Sequence, residues 1–167
     1  MFKKYRTPRK KISLKTAFSN PLNTLAFGFG TGTSKYMPGT IGTLPAYPLY
    51  ILMEKFFSFN ILLAITTCFF IWGINICQKA GDMIGEHDHS GIVWDEIVAM
   101  LLILCFVEQT IESFVLAFIL FRVFDIIKPW PINYFDEKLQ NGFGVMFDDL
   151  LAAIFALGSY WLIIDFI

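Results

Sequence analysis

Apolar and polar stretches alternate along this chain on the length scale of helices, and no two-residue alternation predicts strands. The stretch Phe56–Cys77 has no charged residue and is long enough to cross a bilayer core of about 30 Å as one helix. Four further apolar runs are shorter: Ile41–Met53, Ile97–Val107, Phe114–Phe121 and Leu150–Ile164. The pattern therefore predicts an all-α protein organised around five apolar runs.

The short runs are compatible with two architectures. Each run can cross the membrane if its helix begins inside the neighbouring polar stretch, or some runs can be buried helices of a bundle that only dips into the membrane. If segments 41–56, 57–77, 97–107, 113–127 and 150–167 cross in alternate directions, all of the 13 basic residues except Lys55 lie on one side. By the positive-inside rule this side is cytoplasmic. We expect a compact polytopic membrane helix bundle with its polar motif loops on the cytoplasmic face.

Composition supports a lipid environment. The 167 residues are 56% hydrophobic and 16% charged, whereas soluble domains are about 45–50% apolar and about 25% charged. This composition excludes a disordered chain, a secreted disulfide scaffold and a nucleic-acid-binding tail, so no nucleic-acid partner is expected. Residues 1–16 carry basic side chains and no acid, and we interpret them as a basic arm, either solvated or attracted to anionic lipid. Residues 17–167 are predicted to form a single helical domain.

Two pairs of adjacent carboxylates come just before apolar runs, and each pair is predicted to begin a helix: Asp95-Glu96 and Asp148-Asp149. Adjacent carboxylates raise each other's pKa unless a cation neutralises them. Mg²⁺ is typically held by a few carboxylates together with water and a substrate phosphate, so the two pairs predict a Mg²⁺ site. The alternative is structural, because acids in the first turn of a helix offset its dipole or cap it.

Three charged residues end one apolar run. Arg122, Asp125 and Lys128 are three residues apart and share one helix face, which Pro129 and Pro131 then terminate. They form either an internal salt-bridge ladder or a functional polar site at the end of the helix. Arginine and lysine both suit a phosphate ligand, arginine through its planar fork and lysine as a point charge.

Two weaker signals lie in the polar connections. Either His87 or His89 could act as a general acid, since the ordinary pKa of histidine is near 6.5, although a role in the loop structure is equally open. The Gly39–Thr43 turn could offer backbone N–H groups to an anion, but it matches neither of the standard phosphate-binding glycine motifs.

Taken together and in order, these motifs resemble the phosphatidylglycerophosphatase A family. The matching segments are Gly28–Gly32, Pro38–Leu44, His87–Glu96, Phe121–Asp125, Lys128–Ile132 and Gly142–Asp149. The resemblance runs from about Ser19 to Ala153, and the charged positions show no gap in it.

The resemblance implies an all-helical, Mg²⁺-dependent phosphatase of the bacterial inner membrane, with its active site facing the cytoplasm. It would remove the terminal phosphate of phosphatidylglycerophosphate to give phosphatidylglycerol. The expected metal ligands are Asp95, Glu96, Asp125, Asp148 and Asp149. The expected phosphate contacts are Gly39, Thr40, Arg122 and Lys128. The residues expected to act in catalysis are Asp95, Asp149 and His89, with attack by a carboxylate and attack by a bound water both open.

Competing functions make different demands on the sequence. A lipid-alcohol phosphotransferase would need an Asp-Gly-x-x-Ala-Arg signature, and a metal-free lipid phosphatase a Ser-Gly-His motif; the chain has neither. A small ion or proton carrier would place its acids deep within membrane spans. Here the acids gather at the ends of apolar runs, which favours the phosphatase.

Overall fold

The computed structural model describes residues 12–86 and 89–166, and its regular structure there is entirely helical. The helices are α1 (Leu14–Ala17), α2 (Pro21–Ala26), α3 (Pro38–Thr43), α4 (Ala46–Glu54), α5 (Phe59–Ile84), α6 (Trp94–Leu104), α7 (Ile111–Ile127), α8 (Ile132–Lys138) and α9 (Gly142–Asp165). A 3₁₀ segment, Gly28–Thr33, connects α2 to α3. The predicted all-α class is confirmed. Residues 1–11 of the basic arm and the pair His87-Asp88 lie outside the described residues.

Helix α6 lies at the centre of the bundle. Nine of its 11 residues are buried, and α3, α4, α5, α7 and α9 pack around it. At about 1.5 Å per residue it is about 16 Å long, roughly half the thickness of a bilayer core. The run predicted to cross at 97–107 is therefore a short buried helix, as in the second of the two architectures.

Helix α9 packs against α5, α6, α7 and α8. At its start the backbone of α9 lies directly against the backbone of α5. A Cβ atom on Gly142 would lie 2.1 Å from the carbonyl oxygen of Ile74, so only glycine allows the two backbones to come this close. The Gly142 N–H donates to Gln78 Oε1 at 2.7 Å across the same contact. The start of α9 is thereby fixed against the last turns of α5.

Two helices of the described chain, α5 and α9, are long and apolar enough to cross a membrane. Only 22% and 33% of their most apolar windows are buried, whereas the core helix of a soluble protein would be mostly buried. Their apolar faces are instead largely on the outside of the bundle. This exposure is what a membrane-associated protein requires, since lipid covers such surface.

Candidate active site

A polar cleft opens at the end of the bundle where α6 and α9 begin and α7 ends. Its volume is about 520 Å³. The charged residues that line it are Asp95, Glu96, Arg122, Asp125, Lys128, Asp136, Asp148 and Asp149. Carboxylates thus outnumber cationic side chains by six to two, an excess of four, in a site where most of these side chains are withdrawn from solvent.

Arg122 connects two helices across the floor of the cleft. Its Nη1 atom lies 3.0 Å from Glu96 Oε1 on α6 and 2.9 Å from Asp125 Oδ2, three residues further along α7. Burial raises the pKa of Glu96, and the nearby Asp125 raises it further. Arg122 lowers it, but the net pKa is still about 8. Burial and Asp125 thus disfavour the charged form of Glu96, and a further cation in the cleft would offset this effect.

Gly39 lies directly against this ion pair. A Cβ atom there would be 2.3 Å from Glu96 Oε1 and 3.0 Å from Arg122 Nη2. The turn that holds Gly39 in place is closed by Thr43, whose hydroxyl donates to the Gly39 carbonyl oxygen at 2.8 Å. The absence of a side chain at this position lets the α3 backbone form the wall of the cleft.

Lys128 leaves helix α7 and turns into the cleft. It is the residue that follows the last turn of α7, with φ of 44°, and its N–H closes the helix by donating to Phe124. Its ammonium group contacts Asp136 Oδ1 on α8 at 2.9 Å and also Asp148 Oδ2 on α9. Burial alone would lower the pKa of Lys128, but Asp148 and Asp149 outweigh that effect and raise it, so Lys128 stays charged.

The acid pair of α9 is not a helix cap. Asn141 caps α9 by accepting from Gly144 N at 2.8 Å, and the first turn of the helix contains no acid. Asp148 and Asp149 lie about two turns further along and are 5% and 4% exposed. The expectation that this pair begins its helix is wrong, because the helix begins at Gly142. Capping therefore does not explain Asp148 or Asp149.

Several buried polar atoms of the cleft lack a hydrogen-bond partner among the described residues. They include Glu96 Oε2, Arg122 Nε and Asp149 Oδ2. Buried polar groups without partners cost free energy, and buried carboxylates cost more. The carboxylate oxygens among these atoms could bind a hard cation, and the guanidinium of Arg122 could donate to an anionic ligand.

The structure brings nearly every predicted site residue to this cleft. Gly39 and Thr40 line it together with the predicted acidic and basic residues. His89 is buried beside it, and its Nδ1 atom accepts from the Gly91 N–H at 3.0 Å, while the adjacent Ser90 lines the cleft. The catalytic role assigned to His89, like the roles of the other site residues, stays a prediction.

Three contacts in the cleft were missed by sequence reasoning. Lys128 contacts Asp136 on α8 and Asp148 on α9, and Arg122 pairs with Glu96 across 26 residues. None of these pairs lies within one helix, so a single sequence offers no local signal for them. The predicted contact between Arg122 and Asp125 is present, but Lys128 turns away from that face.

An all-helical, membrane-associated bundle with a carboxylate-rich cleft and two cationic side chains has the features of an enzyme that transfers phosphoryl groups. The comparison with known families agrees with this class. A family model described as phosphatidylglycerophosphatase A matches residues 24–164. The chain belongs to the phosphatidylglycerophosphatase A family and is a phosphatase.

Relatives with curated names support the same family. Phosphatidylglycerophosphatase A of Haemophilus influenzae is 44% identical over 93% of this chain and 97% of its own length. The Escherichia coli protein of that name is 37% identical over 93% of this chain and 92% of its own length. A Bacteroides thetaiotaomicron protein named "Putative phosphatidylinositol-3-phosphatase" is 36% identical over 77% of this chain and 84% of its own length. No solved structure matches the chain.

Proposed function

We propose that this protein hydrolyses the terminal phosphate of phosphatidylglycerophosphate, giving phosphatidylglycerol and inorganic phosphate, in phospholipid synthesis. The names of the two relatives that align over almost their whole length support this substrate. The observation that carries the proposal is the cleft itself, where Arg122 and Lys128 lie among buried carboxylates with unpartnered oxygens. An ion carrier would instead spread its acids along the membrane spans.

We propose Mg²⁺ as the cofactor, held by Asp95, Asp148 and Asp149 with help from Glu96 and Asp125. Within the described residues, no three acidic, histidine or cysteine side chains form a ready-made metal cage. Mg²⁺ does not need one, because it usually keeps several waters and binds through one or two carboxylates plus the substrate phosphate. The unpartnered oxygens of Glu96 and Asp149 fit this role. When bound, Mg²⁺ would neutralise negative charge shared by the carboxylates and the phosphate.

The residues of the chain then have separable tasks in the proposed reaction. Arg122 and Lys128 hold the phosphate, whose charge near neutral pH is about −1.5 to −2. Hydrolysis forms a bond from phosphorus to the incoming oxygen and breaks the bond to the glycerol oxygen, which leaves as an alcohol after gaining a proton. His89 is the predicted donor of that proton. Gly39 and Thr40, which line the cleft, are the further proposed contacts of the phosphate.

We propose that the cleft faces the cytoplasm from the inner membrane of a bacterium. The sequence-based topology places every basic residue except Lys55 on the side of the motif loops. The two helices long enough to cross, α5 and α9, reach the cleft end with the last turns of α5 and the start of α9. The positive-inside rule assigns the basic side to the cytoplasm. The acyl chains of the substrate would then remain in the membrane while its phosphate enters the cleft.

The test is phosphate release by purified protein from a panel of lipids presented in the same detergent. The panel contains phosphatidylglycerophosphate, phosphatidylinositol 3-phosphate, phosphatidic acid and a water-soluble glycerol phosphate. The highest kcat/KM is expected for phosphatidylglycerophosphate, with one phosphate released per lipid. A higher value for phosphatidylinositol 3-phosphate would identify that lipid as the preferred substrate and contradict the proposal. No phosphate release from any lipid would reject the proposed function.

A further inference from the structure

A second cavity adjoins the polar cleft near the start of α6. Its volume is about 250 Å³. Helices α5, α6 and α9 enclose it, and its lining is Thr66, Thr67, Phe70, Asp95, Val98, Ala99, Leu102, Met146 and Leu150. Asp95 lines both the cavity and the polar cleft, so a single residue separates the two.

The cavity runs along α6 away from the cleft. Asp95, Val98, Ala99 and Leu102 follow one another at helical spacing and form its floor. From Asp95 to Leu102 the helix rises about 10 Å. Gly73 follows Phe70 by three residues in α5, and a Cβ there would lie 2.6 Å from Met146 and 3.0 Å from Trp94, so the space between α5 and α9 is closed at this level. The cavity therefore begins at the level of the acidic site and extends into the apolar half of the bundle.

The walls offer little to a polar occupant. The hydroxyls of Thr66 and Thr67 already donate to the carbonyl oxygens of Leu62 and Leu63, at 2.9 and 2.8 Å. They therefore present mainly their methyl groups to the space, beside aliphatic and aromatic carbon. A dry apolar cavity of about 150 Å³ binds a small hydrocarbon such as benzene, so this larger one has room for part of a hydrocarbon chain.

The cavity also communicates with the outside of the bundle. Thr67 is exposed, and Phe70, Leu102 and Leu150 are partly exposed. This opening lies between α5 and α9, the two helices long and apolar enough to cross a membrane. A hydrocarbon chain can thus enter sideways from the bilayer without passing through water.

We propose that this cavity binds one acyl chain of the lipid whose phosphate occupies the polar cleft. The inference rests on the proposed lipid substrate and deepens it: the chain site continues along α6 from the headgroup site, and Asp95 lines both. The chain site then aligns the lipid so that its phosphate reaches Arg122 and Lys128. It also makes the protein sensitive to chain length, which a site recognising only the headgroup would not be.

The kinetic test fills the cavity from two directions. Thr67→Phe narrows the opening of the cavity, and Ala99→Leu fills it from α6. The control is Cys68→Phe, which adds the same ring at the next, exposed position of α5, outside the lining. Each variant is assayed with a long-chain and a six-carbon-chain form of the same phospholipid in one detergent. We expect kcat/KM for the long chain to fall about tenfold in the two filling variants. The short-chain value and both values for Cys68→Phe stay within about twofold.

The outcomes separate the possible failures. Equal losses for both chain lengths, or no loss for either, would overturn the chain site. A direct readout that does not depend on turnover is crosslinking of wild-type protein by a phospholipid with a photoreactive group in its acyl chain. Label in 98–102 and 146–150 that disappears in Thr67→Phe supports the site; label spread over the outer faces and unchanged by the substitution rejects it. If the lipid panel shows no hydrolysis, crosslinking still decides whether the chain binds here.

Discussion

The two ends of the helix bundle treat their buried polar groups differently. At the end opposite the cleft, the buried Tyr160 hydroxyl donates to Ser113 Oγ at 2.9 Å and accepts the Glu108 N–H at 3.2 Å. Thr110 completes this network by capping α7. At the cleft end, by contrast, charged side chains are buried in excess, and atoms such as Asp149 Oδ2 have no partner among the described residues.

The comparison distinguishes stability from function. Neutral hydrogen bonds that are complete contribute to folding, whereas buried charges of one sign are costly unless a ligand neutralises them. Substitutions at the opposite end should therefore lower stability and leave activity intact. Substitutions at the cleft end should do the reverse.

The largest effect is expected for Asp149→Asn. Replacing this buried carboxylate removes a predicted metal ligand, and phosphate release should fall about a thousandfold, as for loss of one group that stabilises developing charge. Because one of several mutually repelling acids is neutralised, the melting temperature in EDTA should stay the same or rise. Initial rates and thermal unfolding in detergent measure both quantities. Full activity, or a lower melting temperature, would contradict the assignment.

A smaller loss is expected for Gly39→Ala. The new methyl group would lie 2.3 Å from Glu96 Oε1, so the Glu96–Arg122 pair must shift, and kcat/KM should fall about 10–100-fold. The control is Gly158→Ala in α9, where no described atom lies within 4 Å of the added carbon. That variant should keep its activity and gain up to about 1 kcal/mol of stability, since alanine favours helix more than glycine. Equal activity of both variants would show that Gly39 does not shape the cleft.

Tyr160→Phe tests the opposite end. Loss of the hydroxyl leaves the Ser113 and Glu108 groups without this partner, which should cost about 1–3 kcal/mol, or very roughly 2–4 °C of melting temperature per kcal/mol. Activity at a temperature well below unfolding should stay within about twofold. A large loss of activity with unchanged stability would reverse the distinction drawn between the two ends.

The last expected effect is a pH dependence of stability at Glu96. Its pKa is raised from 4.5 to about 8 by burial, with a further upward contribution from Asp125. Because the pKa of Glu96 is higher in the folded than in the unfolded state, this group contributes its full stability below its ordinary pKa. That contribution is lost as pH rises through about 8. The melting temperature of the EDTA-treated protein should therefore fall between pH 5 and 9, and Glu96→Gln should flatten this slope. Parallel slopes in both proteins would exclude Glu96 as the titrating group.

Sequence reasoning worked where information is local. Arg122 and Asp125, which are three residues apart, form an ion pair in the structure. The ordered motifs also indicated residues that converge on one cleft. It failed where the deciding contact is distant or lies outside the motif. Asn141 starts α9 well before the acid pair, and Lys128 finds its partners on α8 and α9 instead of on its own helix. The apolar run at 97–107 had the composition of a span, but burial among neighbouring helices accounts for it equally well.

The central proposal is that Mg²⁺ binds in the cleft and neutralises its excess negative charge. Its direct test is phosphate release from phosphatidylglycerophosphate after EDTA treatment, measured while Mg²⁺ is added back, for the wild type and for Asp149→Asn. Activity should vanish in EDTA and return in a saturable way in the wild type, whereas the variant should require much more Mg²⁺ or not recover. Unchanged phosphate release in EDTA would contradict the account.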